Sequence, residues 1–365
     1  LPKTTKRLYL IPVLSKALDI LELLQAGNRE MSLEAIYREL HISKTTVYRI
    51  LKTLVHRGYL SQSQNGLYRP VAKPKKLRFG FGGQSDQMPF SIAVTESLRQ
   101  AATSLGVDLL VLDNCYDGPT AIRNAEHFVE RQVDLVLEFQ VEQQVAPIIA
   151  DKIAAAGIPL IAIDIPHPHA TYFGVDNFRV GVEAGEALAA HAVDQWQGAV
   201  DWVLGLDLPE AGQLVQSRIT GAFQGVRARI PNLPVEYFVR MDGRGIREQS
   251  CQLVTDFLDR HPKDKHILIA AATDTSALGA LDAARERKRT RNVAIVGQDC
   301  IPEAVTEMRR PGSPFIASVS HEAASYGERL IHLGIALLRG NTVAPYNYVG
   351  HKLITQASLQ QNKIA

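Results

Sequence analysis

Cysteine is scarce in this chain. Its 365 residues hold three, Cys115, Cys251 and Cys300, far apart and with no CxxC spacing, which argues against a zinc ribbon or a disulfide framework and fits a reducing compartment. No apolar run approaches the roughly 18 residues of a membrane span, and Leu1-Pro2-Lys3 leads into no apolar signal region. The expectation is a soluble, cytoplasmic protein with no membrane partner. HExxH, a Walker lysine motif and an ordered Ser-His-Asp set are also missing, so the usual signals of an enzyme are absent. His167 and His169 flank Pro168, but without a third placed ligand they read as a loop and not as a metal site. What is present is globular: 46% apolar and 21% charged residues, in a length that allows about two or three domains.

Charge is distributed unevenly. Residues 1–79 carry 15 Lys+Arg against 5 Asp+Glu, a net of +10, so of the chain's 40 and 38 the remainder holds 25 against 33, a net of −8. A basic module is fused to an acidic one. In the first, Leu14, Leu18, Leu21 and Leu24 recur at helical spacing behind Ser15, an expected N-cap, and Gly27 stops the helix. A short second helix follows Ser32, and a third runs from its cap Ser43 to near Gly58. In the third, Val47, Ile50, Leu51 and Leu54 face inward, leaving Lys44, Thr45, Tyr48, Arg49, Lys52 and His56 outward. Asn65-Gly66 then marks a hairpin turn between Tyr59-Leu60-Ser61 and Leu67-Tyr68-Arg69. A helix-turn-helix with a wing, occupying residues 1–70, is the reading, and a cationic helix face of this kind suits a polyanionic groove. Residues 71–76, with proline and lysines but no periodicity, form a linker.

From Leu77 to 358 short apolar runs alternate with amphipathic helices. This predicts α/β architecture: two doubly wound parallel-sheet lobes, the first about 77–176 and 322–344, the second about 177–321 and 345–358. Ligands in such sheets sit beyond the carboxyl ends of strands. Standing there are Ser85, Asp86, Asp164, Asp274, Gln298, Asp299 and His321, with Arg218 opening the helix after Leu206 and Phe90, Phe139 and Tyr172 as aromatic partners. Such a set can match the donors and acceptors of a polyhydroxylated ring while rings cover its CH faces. Asp274, before Thr275-Ser276, reads equally well as a helix cap.

Two resemblances bear on function. Ile11 to Leu21, Thr45-Thr46-Val47-Tyr48-Arg49-Ile50-Leu51 and Arg57-Gly58-Tyr59-Leu60 resemble the winged helix-turn-helix of IclR-type transcription regulators. The resemblance implies base reading by the first turn of the third helix, with Lys44, Thr45 and Thr46, and phosphate contacts from Lys52 and Arg69. Ser217 to Phe223, Ala271 to Leu281 and Ile295 to Asp299 look like the type 1 fold shared by periplasmic ribose-type receptors and LacI/GalR repressors. It implies that Asp164, Arg218 and Asp299 hold a sugar, with Thr273, Gln298 and His321 standing where the family carries an Asn, an aromatic and a hinge Gln.

Together these point to a transcription regulator, expected as a homodimer on operator DNA and controlled by a sugar, cyclitol or sugar acid, with no cofactor. The alternatives are a transport receptor and an NAD enzyme. For the latter Gly80-Phe81-Gly82-Gly83 follows a strand, but the third glycine of GxGxxG is replaced by Ser85.

Overall fold

The computed structural model describes residues 11–27, 30–71 and 76–361. The chain divides into two compact units, Leu1–Lys76 and Leu77–Ala365. Residues 72–75 of the expected linker lie outside the described residues.

The first unit holds α1 (Pro12–Gly27), α2 (Leu33–Leu40), α3 (Lys44–His56) and an antiparallel hairpin of β1 (Leu60–Gln62) and β2 (Tyr68–Pro70). Ser32 and Ser43 cap α2 and α3, accepting from the amides of Ala35 and Thr46. Ser15 caps nothing. Pro12 already supplies the fixed φ of a first helical turn, and the Leu14 and Ser15 amides both donate to the Ile11 carbonyl. The register of α1 also differs from the expected leucine stripe: Ile20 and Leu24 are fully buried, whereas Leu14 and Leu18 are 54% and 50% exposed. The hairpin turn spans Ser63 to Gly66, with the Gly66 amide donating to the Ser63 carbonyl at φ 78°. Met31 and Tyr68 exchange backbone hydrogen bonds and pin the α1–α2 connection to the hairpin.

The second unit contains two six-stranded sheets. In the first lobe β3 (Arg78–Gly83), β4 (Asp108–Asp113), β5 (Leu135–Glu138), β6 (Leu160–Ile163), β7 (Thr171–Gly174) and β13 (Tyr346–Tyr348) are ordered β13-β7-β6-β5-β3-β4, all parallel. Helices α4 (Pro89–Leu105), α5 (Gly118–Glu130), α6 (Ala146–Ala155) and α12 (Tyr326–Leu338) belong to it. In the second lobe β8 (Trp202–Asp207), β9 (Phe238–Asp242), β10 (Ile267–Ala271), β11 (Val293–Gln298), β12 (Phe315–Ser320) and β14 (Lys352–Thr355) run β14-β12-β11-β10-β8-β9, with only β14 antiparallel. Helices α7 (Asn177–Trp196), α8 (Gln213–Arg229), α9 (Arg247–Arg260), α10 (Asp274–Glu286), α11 (Pro302–Met308) and α13 (Gln356–Gln361) accompany it. Near-continuous runs such as Leu135–Glu138 and Ile267–Ala271 are buried along their whole length, as strands covered on both faces must be.

The chain crosses between lobes after β7, after β12 and after β13. The last crossing comes later than the expected position 345, because β13 pairs with β7 and keeps residues 346–348 in the first lobe. Residues 235–237 form a 3-10 turn, and β9 starts after it at Phe238.

One helix contact fixes the site. A Cβ on Gly181 or Gly185 of α7 would collide with the carbonyls of Arg218 and Ala222 on α8, and one on Gly221 or Gly225 with those of Phe178 and Val182. Four glycines at spacing four let two backbones touch, which locks the helix bearing Arg218 onto the one that begins at the first crossing.

Candidate functional site

Between the lobes lies a cleft lined by Gln84, Met88, Pro89, Phe90, Tyr116, Phe139, Gln140, Val141, Asp164, Ile165, Leu208, Ala211, Val215, Arg218, Thr273, Thr275, Asp299 and Ile301. Asp164 follows β6 and Asp299 follows β11, and both hold the left-handed backbone that non-glycine residues rarely adopt, with φ 60° and 104°. Strain of this kind costs about 1–3 kcal/mol and concentrates at binding sites.

Arg218 lies inside α8, in its second turn, since the helix already starts at Gln213. Its guanidinium is 5% exposed, donating from Nε to Asn177 Oδ1 (2.6 Å) and from Nη1 to the Ala272 carbonyl (3.0 Å). Burial pushes the Asp164 carboxyl up to about 6 and Asp299 well above the usual carboxylate range, with the positive charge of Arg218 opposing both shifts. Two carboxyls thus share one cation. Gln140 Nε2 is buried without a protein partner, while the Gln140 oxygen accepts from the Glu142 amide; Asp164 is steadied by the Tyr326 hydroxyl behind it. Buried polar groups are ordinarily paired, so the Gln140 donor stands ready at the cleft.

Phe90 and Phe139 meet edge to face with centroids 6.3 Å apart. Thr273 reaches the lining while its hydroxyl caps α10 by accepting from the Ser276 amide. Other expected site residues stand elsewhere. The Ser85 hydroxyl accepts from the Gln87 amide, and Asp86 points outward against Asp113, whose hydrogen bond and charge raise its pKa. Asp274 is buried by structure-holding bonds, accepting from Ser318 Oγ (2.7 Å) and the Ile301 amide (2.9 Å), and burial lifts its carboxyl to about 7. Gln298 and His321 sit behind the cleft: Gln298 Nε2 points to the Val180 carbonyl, leaving Oε1 to accept from His321 Nε2 (2.9 Å), and His321 Nδ1 lies 3.3 Å from Asp299 Oδ1. Burial holds the His321 imidazole well below its ordinary pKa, hence neutral. Tyr172 is buried beside Tyr346, outside the lining. His167 is buried with Nδ1 on the Ile165 carbonyl, and no group of three metal-capable side chains occurs among the described residues.

The most informative residue that strand-end reasoning missed is Tyr116. It follows β4 in the first lobe, yet its hydroxyl donates to the Arg244 carbonyl of the second (3.1 Å). Arg244 is held in turn by Glu210 (2.7 Å). On the same flank the Gln143 side chain abuts Gly212 across the lobes. The lobes are closed on one another here.

In the first unit the buried face of α3 is Val47, Ile50, Leu51 and Leu54, and Lys44, Thr45, Tyr48, Arg49 and Lys52 are exposed, with Thr46 half-buried. Lys44 pairs with Glu34 (2.7 Å), while Lys52 reaches Gln62 Oε1 of the hairpin (3.4 Å). Arg69 donates to Ser61 Oγ (3.0 Å), with Glu30 at 3.5 Å. Thr46, Arg49 and Thr53 flank a groove whose other wall is Val13, Leu14 and Ala17 of α1.

Two parallel-sheet lobes, crossed three times by the chain and closing on a polar cleft, define a solute-binding fold. Residues 79–342 match the periplasmic binding protein domain, and the chain belongs to that family. Residues 13–64 match the IclR helix-turn-helix domain. Among solved structures the chain is similar to an ABC transporter solute binding protein from Mycobacterium smegmatis with bound glycerol (23% identity, 78% of this chain and 96% of that one, TM-score 0.70). It is also similar to one from Agrobacterium vitis with bound allitol (20%, 80% and 99%, 0.71) and one from Actinobacillus succinogenes with bound D-allose (18%, 78% and 100%, 0.67). No curated protein matches. No helix among the described residues is long and apolar enough to cross a membrane.

Proposed function

We propose that the chain is a transcription regulator whose affinity for operator DNA is set by a sugar or related polyol held between the lobes, combining an IclR-like reader with a sensor of the LacI/GalR kind. The observation that carries this reading is the pairing, in one chain, of an exposed cationic α3 with a cleft where Asp164, Arg218 and Asp299 converge and Gln140 Nε2 lacks a partner. Asp164, Arg218, Asp299, Gln140 and Thr273 would hold hydroxyls, and Phe90 and Phe139 the CH faces. Burial holds Asp299 toward its neutral form, so Arg218 faces about one ionised carboxyl and the site is close to neutral, which suits an uncharged polyol. Lys44, Thr45, Thr46, Tyr48 and Arg49 would read bases, and Lys52 and Arg69 would hold phosphates.

Ile11, just before α1, and Leu14 and Leu18 on it are exposed apolar residues on one side, with Val13 exposed nearby, which supports a homodimer placing two readers on two half-sites. Closure about the crossings near 175, 321 and 349 would change reader spacing and so link the two affinities.

A thermal-shift screen of neutral polyols and sugar acids tests the sensor, since a ligand of the folded state raises the melting point by mass action. A neutral polyol should raise it in wild type and not in Arg218→Ala. A shift of equal size in both removes Arg218 from the site.

A further inference from the structure

Three side chains at the ends of β11 and β12 fix where one proton sits. The two strands pair in parallel with Gln298 opposite Val319, and the Asp299 amide donates to the Val319 carbonyl (2.9 Å). This register brings Gln298, Asp299 and His321 together beyond the carboxyl ends of the strands. Gln298 points Nε2 at the Val180 carbonyl and so turns Oε1 to His321 Nε2 at 2.9 Å. An amide oxygen only accepts, so Nε2 carries the ring hydrogen, and a neutral imidazole then leaves Nδ1 a bare acceptor. That atom is buried without a hydrogen-bond partner, and Asp299 Oδ1 stands 3.3 Å from it.

Two acceptors this close in a dry place repel one another unless a proton lies between them. The imidazole is a poor home for that proton: burial disfavours its charged form, as do the positive charge of Arg218 and that of His351, which pairs with Glu183 (3.0 Å). The carboxyl is the better one, since burial and the charges of Asp274 and Asp164 favour its neutral form, against Arg218 and the Asp274 amide. We infer that Asp299 stands in the cleft as an uncharged carboxylic acid whose proton is held by His321 Nδ1, and that the cleft therefore selects uncharged polyols over amino sugars. This rests on the cleft being a polyol site, and it adds which charged relatives are turned away. Asp164 is then the ionised carboxylate of the lining, and Arg218 already offsets it. An ammonium group entering the cleft would give up its water beside a like charge and meet no anion of its own. A hydroxyl instead donates to the carbonyl oxygen that Asp299 keeps. His321 acts through Asp299 from behind the lining and is a positioning residue.

Ring-nitrogen magnetic resonance on the isotopically labelled full chain locates the proton. His321 is the histidine whose signals vanish in His321→Gln; should that variant not fold, the signals that move in Asp299→Asn identify it. A protonated Nε2 and a bare Nδ1 are expected, unchanged between about pH 6 and 8. A proton on Nδ1, or an imidazolium that titrates in that range, overturns the inference. Selectivity is read by calorimetry at about pH 7, where a sugar amine is largely protonated, with D-glucose, D-galactose and D-mannose against D-glucosamine, D-galactosamine and D-mannosamine. In a pair that binds, the parent should be tighter by about tenfold or more. That ratio should hold in Asp299→Asn, which exchanges one neutral group for another, and widen in Asp164→Asn, which removes an ionised one. An amino sugar that matches its parent, or a ratio that widens in Asp299→Asn, overturns the inference and leaves the polyol reading standing. Silence from every sugar overturns that reading instead, and the ring spectrum still decides the proton.

Discussion

Arginine does opposite work in the two units. Arg49 is exposed on α3 beside Thr46 and Thr53, so its charge is hydrated and free to meet a large polyanion. Arg218 is 5% exposed, with two of its nitrogens bound to protein oxygens and two buried carboxyls sharing its charge. A surface cation acts over a screening length and fades with salt; a buried, fixed one acts through directed hydrogen bonds that salt hardly reaches. The lesson is that surroundings, not residue type, decide whether this chain's cations gather a polymer or sort a small molecule.

The largest effect should come from the helix contact that holds Arg218 in its buried state. Gly185→Val drives a side chain into the Ala222 carbonyl and should cost the second unit about 3 kcal/mol in urea unfolding. A loss near zero would mean α7 and α8 are not packed backbone to backbone.

Next, Arg218→Ala should weaken polyol binding by about 1.5–3 kcal/mol, with little dependence on salt. Arg49→Ala should leave polyol binding alone and weaken duplex binding most at low salt, flattening the slope of log affinity against log salt by about one phosphate contact. If both substitutions respond to salt in the same way, the contrast between the two arginines fails.

A smaller effect concerns pH. Glu138 is buried with one oxygen accepting from Asn114 Nδ2 (2.8 Å) and the other unpartnered, and burial pushes its carboxyl from 4.5 up to about 8. The folded state therefore keeps a proton that the unfolded chain releases. Stability from this group is complete below about 4.5 and is lost as pH rises through 8. Asp164 and Asp274, raised to about 6 and about 7, act in the same direction. Glu138→Gln cannot ionise, so thermal melts between pH 5 and 8.5 should show a shallower decline than wild type; identical slopes would contradict the assignment.

Much of the architecture was legible because burial writes itself into sequence. The apolar run Ile267–Ala271 is one of the short runs that alternate with helices along the chain, and it forms a fully buried strand, since a continuous apolar run between turn signals has few other uses. Asp164, Arg218 and Asp299 could be placed at one cleft because parallel sheets present their strand ends together. Which strand-end side chains turn inward was not legible. Asp299 reaches the cleft through a φ of 104°, whereas Gln298 and His321 on either side of the same opening turn to one another. Tyr116 and Leu208 become lining only when two lobes close, a long-range fact that no local pattern records. The glycine pairs 181/185 and 221/225 were a visible signal of close helix packing. On α1 the leucine repeat marked the helix and half its inner face: Leu21 and Leu24 reach the core, but Ile20 and the small Ala17 take the places of Leu14 and Leu18 there.

The central claim is that one free energy joins the cleft to the reader. It is tested by selecting a duplex from a random pool with the full chain, then measuring the affinity for the tightest polyol with and without saturating duplex, and for the duplex with and without polyol. The account predicts that both affinities change by the same factor, different from one, as linkage requires. A polyol affinity that the duplex leaves untouched would contradict it.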